Sequence, residues 1–218
     1  MSFASSCFWT IRVGTETPHN DFLLPEGLVS ARSEFFRKAM KGGWMEGQQK
    51  LIKLPEDEKA IVALYLHLVY TGDLIDDDDG VPTSSADYAK EKHQDRVLTL
   101  VKLYVFAEKV QDKVAKNKSL EALKLRVQKG GHCDEETRDR DYLPSGAAVQ
   151  LMYDNTPEGS LGRLLMVNLW CTSTTNILAG SEVKSNDFFA DLATALHHRL
   201  LECWKIDHPI YMDDYWEK

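Results

Sequence analysis

Long apolar runs are absent from this 218-residue chain, and no stretch approaches the roughly 20 residues that a membrane-spanning helix needs. The first residues also lack a basic run followed by an apolar run, so we expect no secretory leader. These absences predict an intracellular protein of the cytoplasm or the nucleus that does not bind membranes. The glycosylation pattern Asn117-Lys118-Ser119 carries no meaning in that compartment.

Cysteine and positive charge are also scarce. The four cysteines are widely separated and form no CxxC pair, which is typical of a reduced intracellular protein and not of a disulfide framework. The net charge is −8, whereas a surface that binds phosphates needs a basic face, so the composition argues against nucleic acid as a partner. A chain of this length can bury a core without disulfides or metals.

No motif that would carry catalysis or hold a metal is complete. The segment Gly159-Ser160-Leu161-Gly162 lacks the first glycine of a nucleophile elbow, so we interpret Ser160 as a helix cap. An aspartate run precedes Gly80, but a calcium loop with that glycine in its sixth position has no oxygen ligands at its ends. His132-Cys133 has no matched second pair of ligands. We therefore expect no catalytic residues, no cofactor and no metal.

The first quarter of the chain predicts three strands, which cover residues 8–14, 19–24 and 49–54. Each is rich in β-branched and apolar residues, in patterns that alternate. Between the second and third strands, Pro25 favours the start of a short helix. Ser33 can cap a second short helix, whose inner face then carries Phe36 and Met40.

A longer helix follows the third strand. Its apolar residues occupy most sides of a helical pattern, which predicts a central, covered helix that ends at Gly72. Residues 73–96 are acidic and rich in loop formers, so we expect a mobile insertion there. Dense apolar patterns then predict one helix over residues 97–110 and another that begins at Asp112 and ends at Gly130-Gly131.

The rest of the chain predicts helices only, over residues 144–153, 160–172 and 188–206. The last helix has a regular apolar stripe, formed by Phe189, Leu192, Leu196, Leu200 and Cys203. A polar stretch precedes these helices and marks a linker. We therefore divide the chain into a first domain, a linker and a helical C-terminal extension, at residues 1–128, 129–142 and 143–218.

Several short motifs of the first domain match one protein family, and they are Val13-Gly14, Arg32-Ser33, Phe35-Phe36, Leu54-Pro55-Glu56-Asp57, Leu68-Val69-Tyr70-Thr71-Gly72 and Leu103-Tyr104-Val105-Phe106-Ala107-Glu108-Lys109. In this combination the first half of the chain resembles the BTB/POZ family, and the helical tail looks like the extension of fungal BTB proteins. The resemblance implies an α+β fold. A small three-stranded sheet would be capped by a helical cluster and followed by an all-α extension.

The same resemblance implies a non-enzymatic protein-interaction module that forms a homodimer or binds a protein partner. Family members self-associate through the first strand and first helices. Many also bind a cullin scaffold of ubiquitin ligases through a hydrophobic-x-Glu motif after the second helix. Trp44, Met45 and Glu46 stand at that place, with Phe36 supporting the loop, so a substrate-adaptor role is the narrower expectation. Pro25-Glu26 replaces the His-Lys that is usual in the family.

The alternative is an enzyme with an unrecognised site in the helical C-terminal half. A cleft in that half with converging titratable groups of shifted pKa would favour it.

Overall fold

The computed structural model describes residues 7–41, 49–74, 86–130, 142–171 and 183–207. The strands are β1 (Phe8–Val13), β2 (Asn20–Pro25) and β3 (Leu51–Leu54). The helices are α1 (Glu26–Ser30), α2 (Glu34–Met40), α3 (Lys59–Thr71), α4 (Ala86–Lys109), α5 (Lys113–Gly130), α6 (Gly146–Asn155), α7 (Leu161–Cys171) and α8 (Asn186–Asp207). The fold is α+β with a small three-stranded sheet, as expected, and the sheet is mixed. None of the helices in these ranges is long and apolar enough to cross a membrane.

The sheet has three strands in the order β2-β1-β3. β1 pairs antiparallel with β2 and parallel with β3, so both of its edges are hydrogen-bonded. Within the described part of the chain, the outer edges of β2 and β3 have no further strand paired to them. The three predicted strands are confirmed, with ends that differ from the prediction by at most two residues.

Local signals around the helices behave as predicted. The Ser33 hydroxyl accepts the backbone N–H of Phe36 at 3.1 Å and caps α2, and the Ser160 hydroxyl accepts the N–H of Arg163 at 3.3 Å and caps α7. Gly72 ends α3 with φ at 83°, a left-handed conformation that glycine adopts without a steric cost.

One face of the sheet builds the first of two apolar clusters. Alternate side chains of a strand point to opposite faces, and Trp9, Ile11 and Val13 of β1 all point inward and are buried. They join Phe36 of α2 and Tyr65 of α3 in this cluster. The predicted inner face of α2 and the covered α3 are therefore confirmed.

A buried carboxylate connects this cluster to the helices that follow. Asp112 is fully buried, and its Oδ2 accepts Arg32 Nε–H and the Tyr65 hydroxyl, both at 3.1 Å. Its Oδ1 accepts the backbone N–H of Ala115 at 2.9 Å, near the start of α5. Burial and the Asp112 charge raise the pKa of the Tyr65 hydroxyl, which keeps it a donor. A single side chain thus joins the α1–α2 turn, α3 and α5.

The second apolar cluster lies between α4, α5 and the C-terminal helices. Leu103 and Phe106 of α4 belong to the first cluster, whereas Leu100 and Tyr104 on another side of α4 belong to the second. α5, α6, α7 and α8, together with Val183 shortly before α8, contribute the rest of the second cluster. The helical extension therefore packs directly on helices of the first domain, and the boundary drawn after residue 128 does not separate two cores.

The expected mobile insertion is wrong over its second half. α4 begins at Ala86, so residues 86–96 are helical, while residues 75–85 lie outside the described part of the chain. The polar side chains here bind the chain that enters α6. His93 is buried and its Nε2 lies 3.0 Å from the carbonyl oxygen of Tyr142, and Gln94 Nε2 donates to the Leu143 carbonyl at 2.8 Å. The polar composition of this segment predicted a loop. In the structure, polar side chains of the same segment hold a helix against the chain that enters α6.

The predicted apolar stripe of α8 is also partly wrong. Phe188, one residue before the predicted stripe, is fully buried, and Leu192 is buried as expected. Leu200 is exposed because α8 continues beyond the end of α7, where Arg199 Nη1 donates to the Cys171 carbonyl at 3.0 Å. The side chain of Cys203 lies outside the described part of the structure.

Replacing Asp112 by alanine should destabilise the protein by about 3–5 kcal/mol, because the variant leaves the Arg32 guanidinium without its counter-charge and removes the cap of α5. Urea unfolding followed by circular dichroism measures this loss. The matched control is Asp21→Ala, which breaks the exposed Arg12–Asp21 ion pair and should cost far less. Similar losses for both variants would contradict the role given to Asp112.

The free energy of unfolding should fall as the pH drops below 6.5, the ordinary pKa of a histidine side chain. Burial lowers the pKa of His93, so the unfolded chain takes up this proton at a pH where the folded protein does not. Urea unfolding between about pH 7 and about pH 5 measures the slope. His93→Gln should reduce it, and His198→Gln, at an exposed position, should leave it unchanged. An unchanged slope in His93→Gln would be evidence against this assignment.

Candidate interaction surface

The outer face of the sheet carries apolar side chains that no described element covers. Phe8 is 48% exposed and Leu23 is 67% exposed. Leu23 lies opposite Thr10 on one side of β1, and the partly exposed Leu51 lies beside Thr10 on the other side. We call Phe8, Leu23 and Leu51 the outer apolar patch. Exposed apolar groups that cluster in this way are typical of protein contact sites.

Charged side chains flank the outer apolar patch on the same face of the sheet. Arg12 donates to both carboxylate oxygens of Asp21, from Nε and Nη2, at 2.8 Å each. The hydrogen bond from Arg12 lowers the pKa of Asp21. Lys53 lies beside Arg12 in the neighbouring strand and is exposed. The face therefore combines an apolar end with a charged end, as the core and rim of a contact surface do.

Pro25-Glu26 joins the sheet to α1. The Glu26 backbone N–H donates to the carbonyl of Cys7 at 2.8 Å, and its carboxylate accepts the indole N–H of Trp9 at 3.3 Å. A lysine at this position could not accept that bond. The departure from the usual His-Lys of the resembled family therefore has a local structural role in this chain.

The predicted partner-binding residues are only in part within the described structure. Phe36 is fully buried, with its ring edge-on to Phe35 at 5.2 Å and stacked on Tyr65 at 6.3 Å. At this depth in the core, Phe36 cannot touch a partner directly. Trp44, Met45 and Glu46 lie outside the described residues.

A cleft in the C-terminal half bears on the alternative of an enzyme. It lies between α4, α5 and the turn before α7, has a volume of about 240 Å³, and includes Glu108, Lys116 and Glu158 in its lining. Burial raises the pKa of Tyr153 and Cys171, but neither of these residues lines the cleft. Among the described residues, the titratable groups with clearly shifted pKa therefore lie outside the lining of this cleft. The enzyme alternative stays a hypothesis.

Metal-binding side chains do not converge within the residues that the structure describes. No group of three or more histidine, cysteine, aspartate or glutamate side chains in those ranges is placed to hold a metal ion.

Comparisons with known proteins leave the resemblance to the BTB/POZ family as a prediction. No protein-family model matches the chain, and no curated protein matches it.

Sequence reasoning found the strands but missed the outer apolar patch. The signal was present in β1, where Phe8 occupies the opposite parity from Trp9, Ile11 and Val13. The alternation along β1 assigns its side chains to two faces, and both faces carry at least one apolar side chain. The alternation alone therefore does not show that Phe8 is exposed. The pairing of Thr10 with Leu23 and Leu51 required the three-dimensional register.

Proposed function

We propose that this protein is a non-enzymatic interaction module that binds another polypeptide, a second copy or a protein partner, on the outer face of its sheet. The observation that carries the proposal is the exposure of Phe8 and Leu23 on the same face of two paired strands, in a sheet whose other face packs in the core. The resemblance to the BTB/POZ family supports the same function.

The strand order determines how such a contact can form. Because β1 is hydrogen-bonded on both sides, it can contribute its outward side chains to a partner but not a free backbone edge. No described strand pairs with the outer edge of β2, which lies next to the outer apolar patch, so an added strand could pair there. A partner on this face would thus contact the side chain of Leu23 on the face of the sheet and could pair with the backbone of β2 at its edge.

Replacing Leu23 by glutamate should weaken self-association or partner binding about tenfold or more, because it puts a charge in the middle of the apolar contact. Light scattering at micromolar concentration measures the mass of the wild-type protein and of the variant. If the wild type is a monomer, a pull-down with the wild type and the variant compares the captured partner.

Leu125→Glu is the matched control, since Leu125 is an exposed leucine on α5 and outside the sheet. Equal behaviour of Leu23→Glu and Leu125→Glu would contradict the proposed surface. A strictly monomeric wild type that captures no partner would also count against it.

The narrower proposal is a substrate adaptor for a cullin-type ubiquitin ligase, with Met45 and Glu46 at the contact. It rests on the resemblance and on one observation next to the motif. α2 is capped by Ser33 and held in the core by Phe36, and it ends at Met40, so the chain leaves a rigid helix shortly before Trp44. A fixed point of departure lowers the entropy that a contact segment loses on binding.

Reversing the charge with Glu46→Lys should abolish binding to a purified cullin N-terminal domain and leave the fold intact. Isothermal titration measures the affinity, and circular dichroism checks the fold. Glu16→Lys reverses an exposed charge between β1 and β2 and should bind like the wild type. An affinity unchanged by Glu46→Lys would discard the adaptor role but not the sheet-face proposal.

A further inference from the structure

We propose that the cleft between α4, α5 and the turn before α7 binds a short segment of a partner protein in which a basic side chain stands next to a leucine-like one. This is a second contact surface, on the helical side of the molecule. It does not depend on the proposed role of the sheet.

The wall of the cleft at α7 is preformed. Tyr104 of α4 is buried, and its hydroxyl oxygen accepts the backbone N–H of Gly162 at 3.1 Å. A Cβ atom at position 162 would lie 2.5 Å from Tyr104 Cε1 and 2.5 Å from Met152 Sδ, so only glycine permits this close approach. Arg163 lies over the Tyr153 ring at 4.7 Å and donates to its carbonyl at 2.7 Å. A site that is already ordered binds a peptide at a lower entropic cost.

Leucines at and beside the mouth of the cleft provide the apolar part of the proposed site. Leu161 lines the cleft and is 59% exposed. Leu164, one helical turn further along α7, is 54% exposed. Leu120 of α5 is half-buried and lines the opposite side. A single leucine-sized side chain would fit a cleft of about 240 Å³ and would cover Leu161 and Leu120 together.

The charges of the cleft favour a basic ligand. Lys116 Nζ lies 2.9 Å from Glu108 Oε2, so these two charges compensate each other. Glu158 adds a second carboxylate to the lining, and it has no ion-pair partner among the described residues. The lining therefore carries one net negative charge in a chain whose own net charge is −8. A lysine or arginine next to the apolar anchor would complement this charge.

An anionic ligand fits the cleft less well, although the first turn of α7 lies at its edge. The N–H of Gly162 already donates to Tyr104, and the N–H of Arg163 already donates to Ser160. These two donors are not free for an anion, and Glu108 and Glu158 would repel it.

Selection of random peptides displayed on phage, with the full chain immobilised, tests the proposal. The enriched peptides should carry lysine or arginine within two positions of leucine, isoleucine, methionine or phenylalanine. Fluorescence polarisation with the synthesised peptides then measures their affinity for the wild type and for the variants.

Two variants address the cleft without disturbing the core. Leu161→Ser, at the first position of α7, removes the apolar anchor point and leaves the charge of the cleft unchanged. Asn117→Arg, at an exposed position of α5, fills the cleft and neutralises its net negative charge. Each should weaken the enriched peptides about tenfold or more, whereas Leu125→Glu and Leu23→Glu should bind like the wild type.

Three results would overturn the proposal: no enrichment above background, enriched peptides that are acidic, or enriched peptides that bind Leu161→Ser and Asn117→Arg as tightly as the wild type. The Leu23→Glu variant separates this surface from the other one. A peptide that Leu23→Glu alone weakens belongs to the sheet face and contradicts binding in the cleft.

Discussion

The shape of the N-terminal half depends on one buried carboxylate. Asp112 binds Arg32, Tyr65 and the start of α5, and these groups come from three separate stretches of the chain. A buried charge is costly unless it is paired and hydrogen-bonded, so the four groups stabilise the structure only as a set. The set holds α3 and the α1–α2 turn against α5. These elements form the packed side of the sheet, so they determine which face of β1 remains open.

α4 extends this constraint to the rest of the molecule. Its Phe106 packs in the first apolar cluster and its Tyr104 in the second, and Tyr104 also positions α7 through Gly162. The two clusters therefore share a rigid element. Both proposed contact surfaces lie on this common frame, the open sheet face on one cluster and the cleft at the edge of the other. A partner held at either surface would meet a preformed site.

The sequence predicted what local chemistry determines. The sequence indicated the alternation of the strands, the caps at Ser33 and Ser160, and the helix end at Gly72. Each of these features has its cause within a few residues. The bond from Arg32 to Asp112 could not be predicted, since 80 residues separate the partners and nothing near either residue in the sequence indicates the other. The start of α4 was missed because the hydrogen-bond partner of His93 is the Tyr142 carbonyl, 49 residues further along the chain. The candidate surfaces were missed for the same reason, because exposure of Leu23 or Leu161 follows from tertiary packing.

Native-state hydrogen exchange tests most directly whether the sheet and the helical half form one frame. The amide of Ile11 reports on the first cluster, and the amide of Leu123 reports on the second. A shared frame predicts that both amides exchange only through global opening, with the same free energy and the same denaturant dependence. If Leu123 stays protected under conditions in which Ile11 exchanges, the two clusters unfold separately and the common frame does not exist.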